Sequence, residues 1–265
     1  MLQQTQVGRV MEKYATFLKR FPTLKKLAAA SKASVIRAWT GMGYNNRALR
    51  LRELSRIVVT NSGGKIPGET SALQALPGIG RYTAHAVACF AFHKQVPVVD
   101  VNVHRVLSRA FRCLTNPGAV QNPDTIWKLA GSILPRRRAY DWNQALMDLG
   151  AIYCTSRNPH CDECPVASVC ASRNQFSHTK DTRRPRKKEP SRDGIPTRIY
   201  RGRIVERLRN SDGGVELTTL GRHVKSRFRK GDTPWLLSVV RKLQADGLVD
   251  LRYGRKRAVV SLPRS

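Results

Sequence analysis

Four cysteines close together on the chain restrict its fold more than any other feature. They fall within seventeen residues in the pattern Cys-x6-Cys-x2-Cys-x5-Cys: Cys154, Cys161, Cys164 and Cys170. Four thiolates can hold one zinc ion tetrahedrally or a [4Fe–4S] cluster, and the spacing alone leaves both open. No secretory leader is visible, so a set of disulfides is the weaker interpretation. Cys89 and Cys113 lie in apolar, helix-like sequence and are expected to be core thiols.

The charge of the chain indicates a polyanionic partner. The 265 residues carry 48 Lys and Arg against 18 Asp and Glu, a net charge of +30. This excess favours nucleic acid as the partner first and an anionic membrane surface second. No apolar run approaches the roughly 18 residues of a membrane span, and the start of the chain is not a signal peptide. We therefore expect a cytoplasmic, nucleoid-associated protein with no membrane partner and, because dimerisation heptads are lacking, a monomer.

The first 150 residues predict short helices and no strands. Apolar residues at intervals of three and four lie on one face of a predicted first helix: Val7, Val10, Met11, Tyr14, Phe17 and Leu18. Further helices are expected at 100–111, 124–134 and 142–153, and two more flank a turn at 77–80. The hydrophobic fraction of 41% is enough for a core. The sequence therefore predicts an all-α domain that extends through the cysteine loop 154–170.

The rest of the chain is organised differently. Residues 171–196 are polar and basic and predict a linker after a first domain over 1–170. Residues 197–265 then predict three helices, at 198–208, 217–228 and 233–246, followed by two strands about Gly254. Three helices and a basic hairpin are the order of a winged-helix-like, α+β domain, whose third helix would enter the major groove of DNA.

Basic residues on this third helix and hairpin suit contact with nucleic acid. They are Arg241, Lys242, Arg252, Arg255, Lys256 and Arg257. The alternative is a solvated basic face on a domain that serves packing only.

A glycine turn between two helical patterns predicts a phosphate-binding hairpin. In Leu76–Gly80, Pro77 restricts φ, and Gly78 and Gly80 permit conformations and close approach that a Cβ would forbid. The helix that begins near Arg81 would present unpaired amides and the positive end of its dipole. An ordinary helix–helix turn is the alternative for the glycines alone.

Longer strings around this turn resemble a known family. The hairpin string and the aspartate string that follows it resemble the helix-hairpin-helix DNA glycosylase superfamily: LPGIGRYTAHAVACFAF and VPVVDVNVHRVLSR. Four other strings are similar to the MutY-type adenine glycosylases: MLQQTQV, FPTLKKLAAA, WTGMGYNNRA and WNQALMDLGAIYC. The resemblance covers residues 1 to about 170. It implies an iron–sulfur rather than a zinc site, and a base excision repair enzyme that acts on double-stranded DNA with a mismatched or damaged base.

The resemblance also implies three residues for the chemistry. Asp100 aligns with the family's catalytic aspartate, although an N-cap of the following helix is the alternative role and the two can coexist. Asn102 matches a second polar position nearby. Tyr82 stands where bifunctional relatives have a lysine, and a phenol cannot form a Schiff base. We therefore expect a monofunctional glycosylase, with Tyr82 contacting the flipped nucleotide or supporting Asp100, or simply packing.

Further positions are implied as DNA contacts. Gln3 and Gln4 lie where the family inserts polar side chains into the duplex, with a frayed terminus as the alternative. Tyr44, Arg81 and His104 are the other candidates before the cysteine loop, and for His104 a plain surface position is the alternative.

Several departures from the family leave other functions open. The family's catalytic Glu precedes its LQQTQ string by a few residues, a position before Met1, and residues 197–265 do not resemble the family's 8-oxoguanine-reading domain. Asn45 and Val101 replace a frequent Tyr and a Gly. Adenine excision opposite G or 8-oxoguanine is the favoured activity. Thymine excision from G·T and binding of damaged DNA without turnover are the alternatives, and a transcription regulator is disfavoured.

Overall fold

The computed structural model describes residues 1–3, 5–111, 123–173, 189–211, 213–254 and 257–264. Twelve helices are described, with two short 3-10 turns and five short strands. The helices are α1 Val7–Arg20, α2 Leu24–Ala29, α3 Lys32–Ala38, α4 Asn46–Ser62, α5 Thr70–Gln74, α6 Arg81–Phe92, α7 Val101–Ala110, α8 Pro123–Ser132, α9 Ala139–Ile152, α10 Thr197–Arg209, α11 Leu217–Val224 and α12 Thr233–Ala245. The strands are β1 Ser191–Arg192, β2 Ile195–Pro196, β3 Val215–Glu216, β4 Asp250–Tyr253 and β5 Ala258–Ser261. None of these helices combines the length and apolar character that crossing a bilayer requires.

The chain forms two compact units, residues 67–186 and residues 1–66 with 187–265. The division into domains at 170 and 196 that the sequence predicts stays a prediction. Within the described part of the predicted linker, β1 and β2 pair as a small antiparallel hairpin.

The first unit, 67–186, is built from α5 to α9 and the cysteine loop. Its main core lies between α7, α8 and α9 and includes Val103, Leu107, Ile126 and Leu146. Gly150 lets α9 approach α7 closely, because a Cβ there would lie 2.7 Å from the Cβ of Asn102. No strand occurs among the described residues of this unit, in agreement with the all-α prediction.

The second unit contains a winged-helix fold at its C-terminal end. Its order is α10, β3, α11, α12, β4 and β5, and the three strands form an antiparallel sheet in the order β3-β5-β4. Leu220, Leu236, Val240 and Val260 lie in the core of this fold and are fully buried. The predicted order of three helices and a hairpin is therefore observed.

The same core includes a residue from the N-terminal helices. Ile36 of α3 is fully buried among the winged-helix side chains. Arg37 donates to the carbonyls of Arg209 and Ser211 at 3.3 and 3.2 Å. In return, Arg209 donates to the carbonyl of Ile36 at 3.0 Å and to Oδ1 of Asn45 at 2.7 Å. Asn45, a departure from the family pattern, thus has a structural partner in α10.

The first helix is observed as predicted, at Val7–Arg20, although only Val10 and Phe17 of its apolar face are buried and the other four apolar residues are exposed. One boundary predicted from the sequence is wrong. Helix α11 ends at Val224 instead of Phe228. It ends there because Lys225 is extended and its ammonium is held by two aspartates, and the Phe228 ring packs back onto Gly221, where a Cβ would lie 2.4 Å from it.

The turn between α11 and α12 is fixed by a buried carboxylate. Asp232 accepts from the backbone N–H of Arg229 at 2.9 Å and pairs with Arg192 of β1 at 2.5 Å. It also pairs with Lys225 at 3.1 Å, and Lys225 reaches Asp193 at 3.0 Å. These bonds, with the backbone bond from Arg229 as the largest contribution, lower the pKa of Asp232 from 3.8 to about 2.

We expect this network to make the second unit sensitive to acid. The pKa of Asp232 is lower in the folded than in the unfolded chain, so its contribution to stability is present above about pH 4 and is lost as the pH falls towards 2. Asp232→Asn should lower the melting temperature at neutral pH and flatten its decline on acidification, measured by thermal unfolding at several pH values. Asp250→Asn, outside the network, is the control; an equal effect of both changes would contradict this role.

Candidate active site and iron–sulfur loop

Asp100 begins α7 and caps it. Its Oδ1 accepts from the backbone N–H of Val103 at 2.7 Å, and its Oδ2 accepts from the side-chain amide of Asn102 at 3.2 Å. The N-cap role expected as an alternative is therefore real, and it uses one oxygen. The Asp100 residue as a whole is half-buried.

The segment before Asp100 is held by two buried polar contacts that the sequence did not reveal. Asn143 accepts from the backbone N–H of Val98 at 2.9 Å and donates to the carbonyl of Val96 at 3.0 Å. His85 Nδ1 donates to the carbonyl of Pro97 at 2.8 Å, and burial lowers the pKa of this imidazole. Both contacts fix the direction in which the chain enters α7.

Tyr82 lies on the first turn of α6, within electrostatic reach of Asp100. Burial first, and then the negative charge of Asp100, raise the pKa of the phenol. The ring is still 39% exposed, so it is not a packing tyrosine in the interior. The phenol of Tyr82 therefore lies where the charge of Asp100 still acts on it, and a shared catalytic role of the two residues stays a prediction.

The hairpin at 76–80 has the predicted form. Gly78 has φ +82°, a left-handed conformation that favours glycine, and the N–H of Ile79 donates to the carbonyl of Leu76 at 3.2 Å. Gly80 precedes α6 with φ −86°, and a Cβ there would meet nothing of the protein within 4 Å. The fold itself therefore does not require glycine at 80, whereas a ligand that approaches the first amides of α6 would.

Arg81 is engaged within the protein. Its guanidinium lies 4.3 Å from the centre of the Trp127 ring and forms an ion pair with Asp124. A DNA contact by Arg81 stays a prediction, as does one by His104, whose Nδ1 lies 3.5 Å from the hydroxyl of Ser108.

A chain of hydrogen bonds along α7 joins Asp100 to the cysteine loop. Asn102, which donates to Asp100, accepts from Arg105 at 3.0 Å. Arg105 also donates to the carbonyls of Gly150 and Cys154 at 2.6 and 2.7 Å. Arg105 was missed by the sequence analysis; its spacing of three from Asn102 on one helix was the only available signal.

Arg105 is therefore a positioning residue, and its replacement should lower the stability of the protein. Arg105→Gln removes charge-assisted hydrogen bonds to two carbonyls and should destabilise the protein by roughly 1.5–3 kcal/mol. It should also release Asn102 from its orientation beside Asp100. Denaturant unfolding measures the loss of stability. Lys128→Gln, at an exposed site of α8, serves as the control. Unchanged stability in Arg105→Gln would argue against a positioning role for Arg105.

The four clustered cysteines line one cavity. They are free thiols around a space of about 360 Å³ that is partly open to solvent. His160, Arg109 and Arg173 also line it, and Arg109 lies 3.4 Å from Sγ of Cys154. Arg109 donates further to the carbonyls of Thr155 and Ser156. Cationic side chains beside several thiolates offset the negative charge that such a ligand set concentrates.

The donor set fits a cluster better than one ion. Zinc would require all four sulfurs at about 2.3 Å from one point. Among the described residues, no three His, Cys, Asp or Glu side chains lie close enough to share a single ion. A [4Fe–4S] cluster is larger and takes its four thiolates at separate irons. Cys89, outside the loop, is fully buried, and burial raises the pKa of its thiol; Cys113 lies outside the described residues.

Arg47 of α4 organises the N-terminal candidates for DNA contact. It donates to the carbonyls of Met1, Gln3 and Met42, and its guanidinium lies 5.8 Å from the Tyr44 ring. Gln3 is thus tied at its backbone, not frayed. Tyr44 has φ +43° and is 62% exposed. Arg47 was not identified from the sequence.

Some of the remaining candidates for DNA contact lie outside the residues that the structure describes. Gln4, Arg255 and Lys256 are not among the described residues. Arg241 is exposed on α12 and donates to the hydroxyl of Tyr253 on β4 at 3.4 Å. Its contact with DNA stays a prediction.

Comparison with known proteins agrees with the helical fold and the cysteine loop. The family model for an HhH-GPD superfamily base excision DNA repair protein matches residues 1–131, and the model for the iron-sulfur binding domain of endonuclease III matches residues 154–170. The adenine DNA glycosylase of Mycobacterium tuberculosis is 35% identical over 255 residues, covering 94% of this chain and 79% of that protein. Human adenine DNA glycosylase is 44% identical over 176 residues, covering 66% of this chain and 32% of the human protein.

A solved structure gives the same result for the fold. The structure of a thermostable thymine-DNA glycosylase matches with a TM-score of 0.60 and 32% identity, covering 66% of this chain and 80% of that chain. The chain spans about a third of the length of the mammalian relatives that it matches.

Fold and cysteine loop together define a helix-hairpin-helix base excision repair protein with an iron–sulfur domain. Within that superfamily, the chain belongs to the MutY-type family of adenine DNA glycosylases. The resemblance, the fold class and the [4Fe–4S] cofactor predicted from the sequence are confirmed.

Proposed function

We propose that the protein hydrolyses the N-glycosidic bond of adenine mispaired with G or 8-oxoguanine in duplex DNA. The observation that carries the proposal is the carboxylate of the half-buried Asp100, held by its cap bond and by Asn102, in a chain alignable over 94% of its length with an adenine DNA glycosylase. A flipped nucleotide would bring its C1′ to the free side of this carboxylate.

The chemistry follows from charge. Cleavage of the bond develops positive charge on the sugar, and a fixed carboxylate nearby stabilises it. Tyr82 offers no amine for a Schiff base, so the attacking group is water and the product is an abasic site. Because its pKa is raised, the phenol stays protonated and able to donate to the nucleotide.

The DNA is held by contacts without sequence preference. The first amides of α6 and the open space at Gly80 suit a phosphate of the strand. Gln3, Gln4 and Tyr44 are proposed to replace the flipped base in the duplex, and Arg47 holds two of them in place. The cluster, when bound, supplies a rigid centre for the loop 154–170, which Arg105 and Arg109 join to α7.

Thymine excision from G·T is the second candidate, because a thymine-DNA glycosylase structure is 32% identical to this chain. A panel of duplexes with A·G, A·8-oxoguanine, T·G and A·T pairs separates the two. We expect free adenine and an alkali-labile strand from the first two duplexes, with the strand intact before alkali. Release of thymine alone would favour the second candidate, and binding without release of any base would reject both.

A further inference from the structure

The helix-turn-helix of the second unit carries an unbalanced positive charge. Between residues 217 and 245 there are seven Lys and Arg and a single acid, Asp232. Asp232 is buried and already paired with Arg192 and Lys225, so it neutralises nothing on the surface. Of the acids that flank this segment, Glu216 accepts from the hydroxyls of Thr218 and Thr219, Asp246 pairs with Arg201 and Asp250 pairs with Arg252.

The basic residues of this segment differ from those of α10 in what they do. On α10 four arginines have partners inside the unit: Arg198, Arg201, Arg203 and Arg209. In contrast, six exposed cations lie in the turn before α12, on α12 and just before β5, and they form no ion pair with any described residue. They are Arg227, Arg229, Lys230, Arg241, Lys242 and Arg257. Their charge is left for an external partner.

These cations sit on a rigid support. Asp232 fixes the turn that carries Arg229, and the Phe228 ring packs on Gly221 of α11. Arg241 of α12 reaches the hydroxyl of Tyr253 on β4, so the helix and the hairpin present one surface. A preorganised basic surface loses little entropy on binding an anion.

We propose that α12 and the neighbouring strands β4 and β5, with Arg257, form a second DNA-binding site, which binds the backbone of undamaged duplex DNA with α12 in the major groove. A helix fits this groove in B-form DNA, whereas the major groove of duplex RNA is too narrow and deep for side chains to read. Phosphate contacts by Lys and Arg position a protein without reading sequence. The site is separate from base excision and does not depend on the proposed activity.

A charge-matched pair of variants tests the proposal. One carries Arg241→Gln, Lys242→Gln and Arg257→Gln; the control carries Lys19→Gln, Lys25→Gln and Lys26→Gln, exposed positions on α1 and α2. Fluorescence anisotropy with an undamaged 20-base-pair DNA duplex, a length of about two turns, is measured at several salt concentrations. The first variant should bind roughly tenfold more weakly and show a salt slope smaller by about one per lost phosphate contact, hence by about three. The control should match the unmodified protein.

Two further measurements separate the kind of contact. Arg241→Lys with Arg257→Lys should keep the affinity, because a phosphate accepts either cation, and the loss should be equal on two unrelated DNA sequences. Duplex RNA of the same length should bind more weakly than DNA. Equal losses in the two Gln variants, RNA binding as tight as DNA, or loss of affinity in the lysine variant would each overturn the proposal. Melting curves verify that every variant is folded.

Discussion

Asp100→Asn is expected to slow base release by about 10²- to 10³-fold while leaving the protein folded. The amide keeps the shape of the side chain and can still accept the cap bond from the backbone N–H of Val103, since Asn caps helices about as well as Asp. It lacks the negative charge that stabilises the developing sugar cation. Single-turnover assays with the mismatched duplex measure the rate.

The matched control for this change is Asp148→Asn, an exposed carboxylate on α9 that loses the same charge away from α7. Melting temperatures of both variants should stay close to that of the unmodified protein. A catalytic role for Asp100 is excluded if Asp100→Asn releases base at the normal rate.

Cys164→Ser is expected to abolish the iron–sulfur cluster. Iron content should fall from about four atoms per chain to nearly none, with loss of the visible absorption of the cluster, because serine does not replace a thiolate ligand. A cluster held by the cysteines that line the cavity would stabilise the loop 154–170, so without it the first unit should also melt at a lower temperature. Iron analysis, absorption and thermal unfolding together measure these effects.

Cys89→Ala is the control, because this thiol is fully buried in a separate core and lies outside the cavity. It should keep the iron and the colour, although it removes a buried sulfur. Full iron content in Cys164→Ser, or loss of iron in Cys89→Ala, would contradict the assignment of the ligands.

The fold was largely predictable because its elements are marked locally. Glycines with left-handed φ at 63 and 78 end or turn helices, and Asp100 caps α7 through a residue three positions away. The winged-helix order followed from changes in hydrophobic period around Gly254. The exposure of most of the apolar face of α1 was not predictable, because a period of three and four identifies an apolar stripe but not whether another element covers it.

The candidate site was only half predictable, because motifs identify residues but not their distant partners. Asp100 and Tyr82 could be named from motifs, yet their proximity is a property of the folded chain. Arg47 and Asn143 could not be found, since an arginine or a buried asparagine in a helix carries no local mark of its distant partners. For Arg105 the spacing from Asn102 was a local signal, but its bonds to the cysteine loop were not.

The amino-acid sequence alone predicted most of the helices, the cysteine loop and the family to which the chain belongs, because neighbouring residues decide these properties. Only the tertiary structure decided that Asn45 accepts a hydrogen bond from Arg209 and that Asp232 fixes the turn before α12. It also decided that Arg105 connects Asn102, the partner of Asp100, to the cysteine loop. Those contacts join residues up to 164 positions apart. Their partners become neighbours only when the apolar cores bring the helices together.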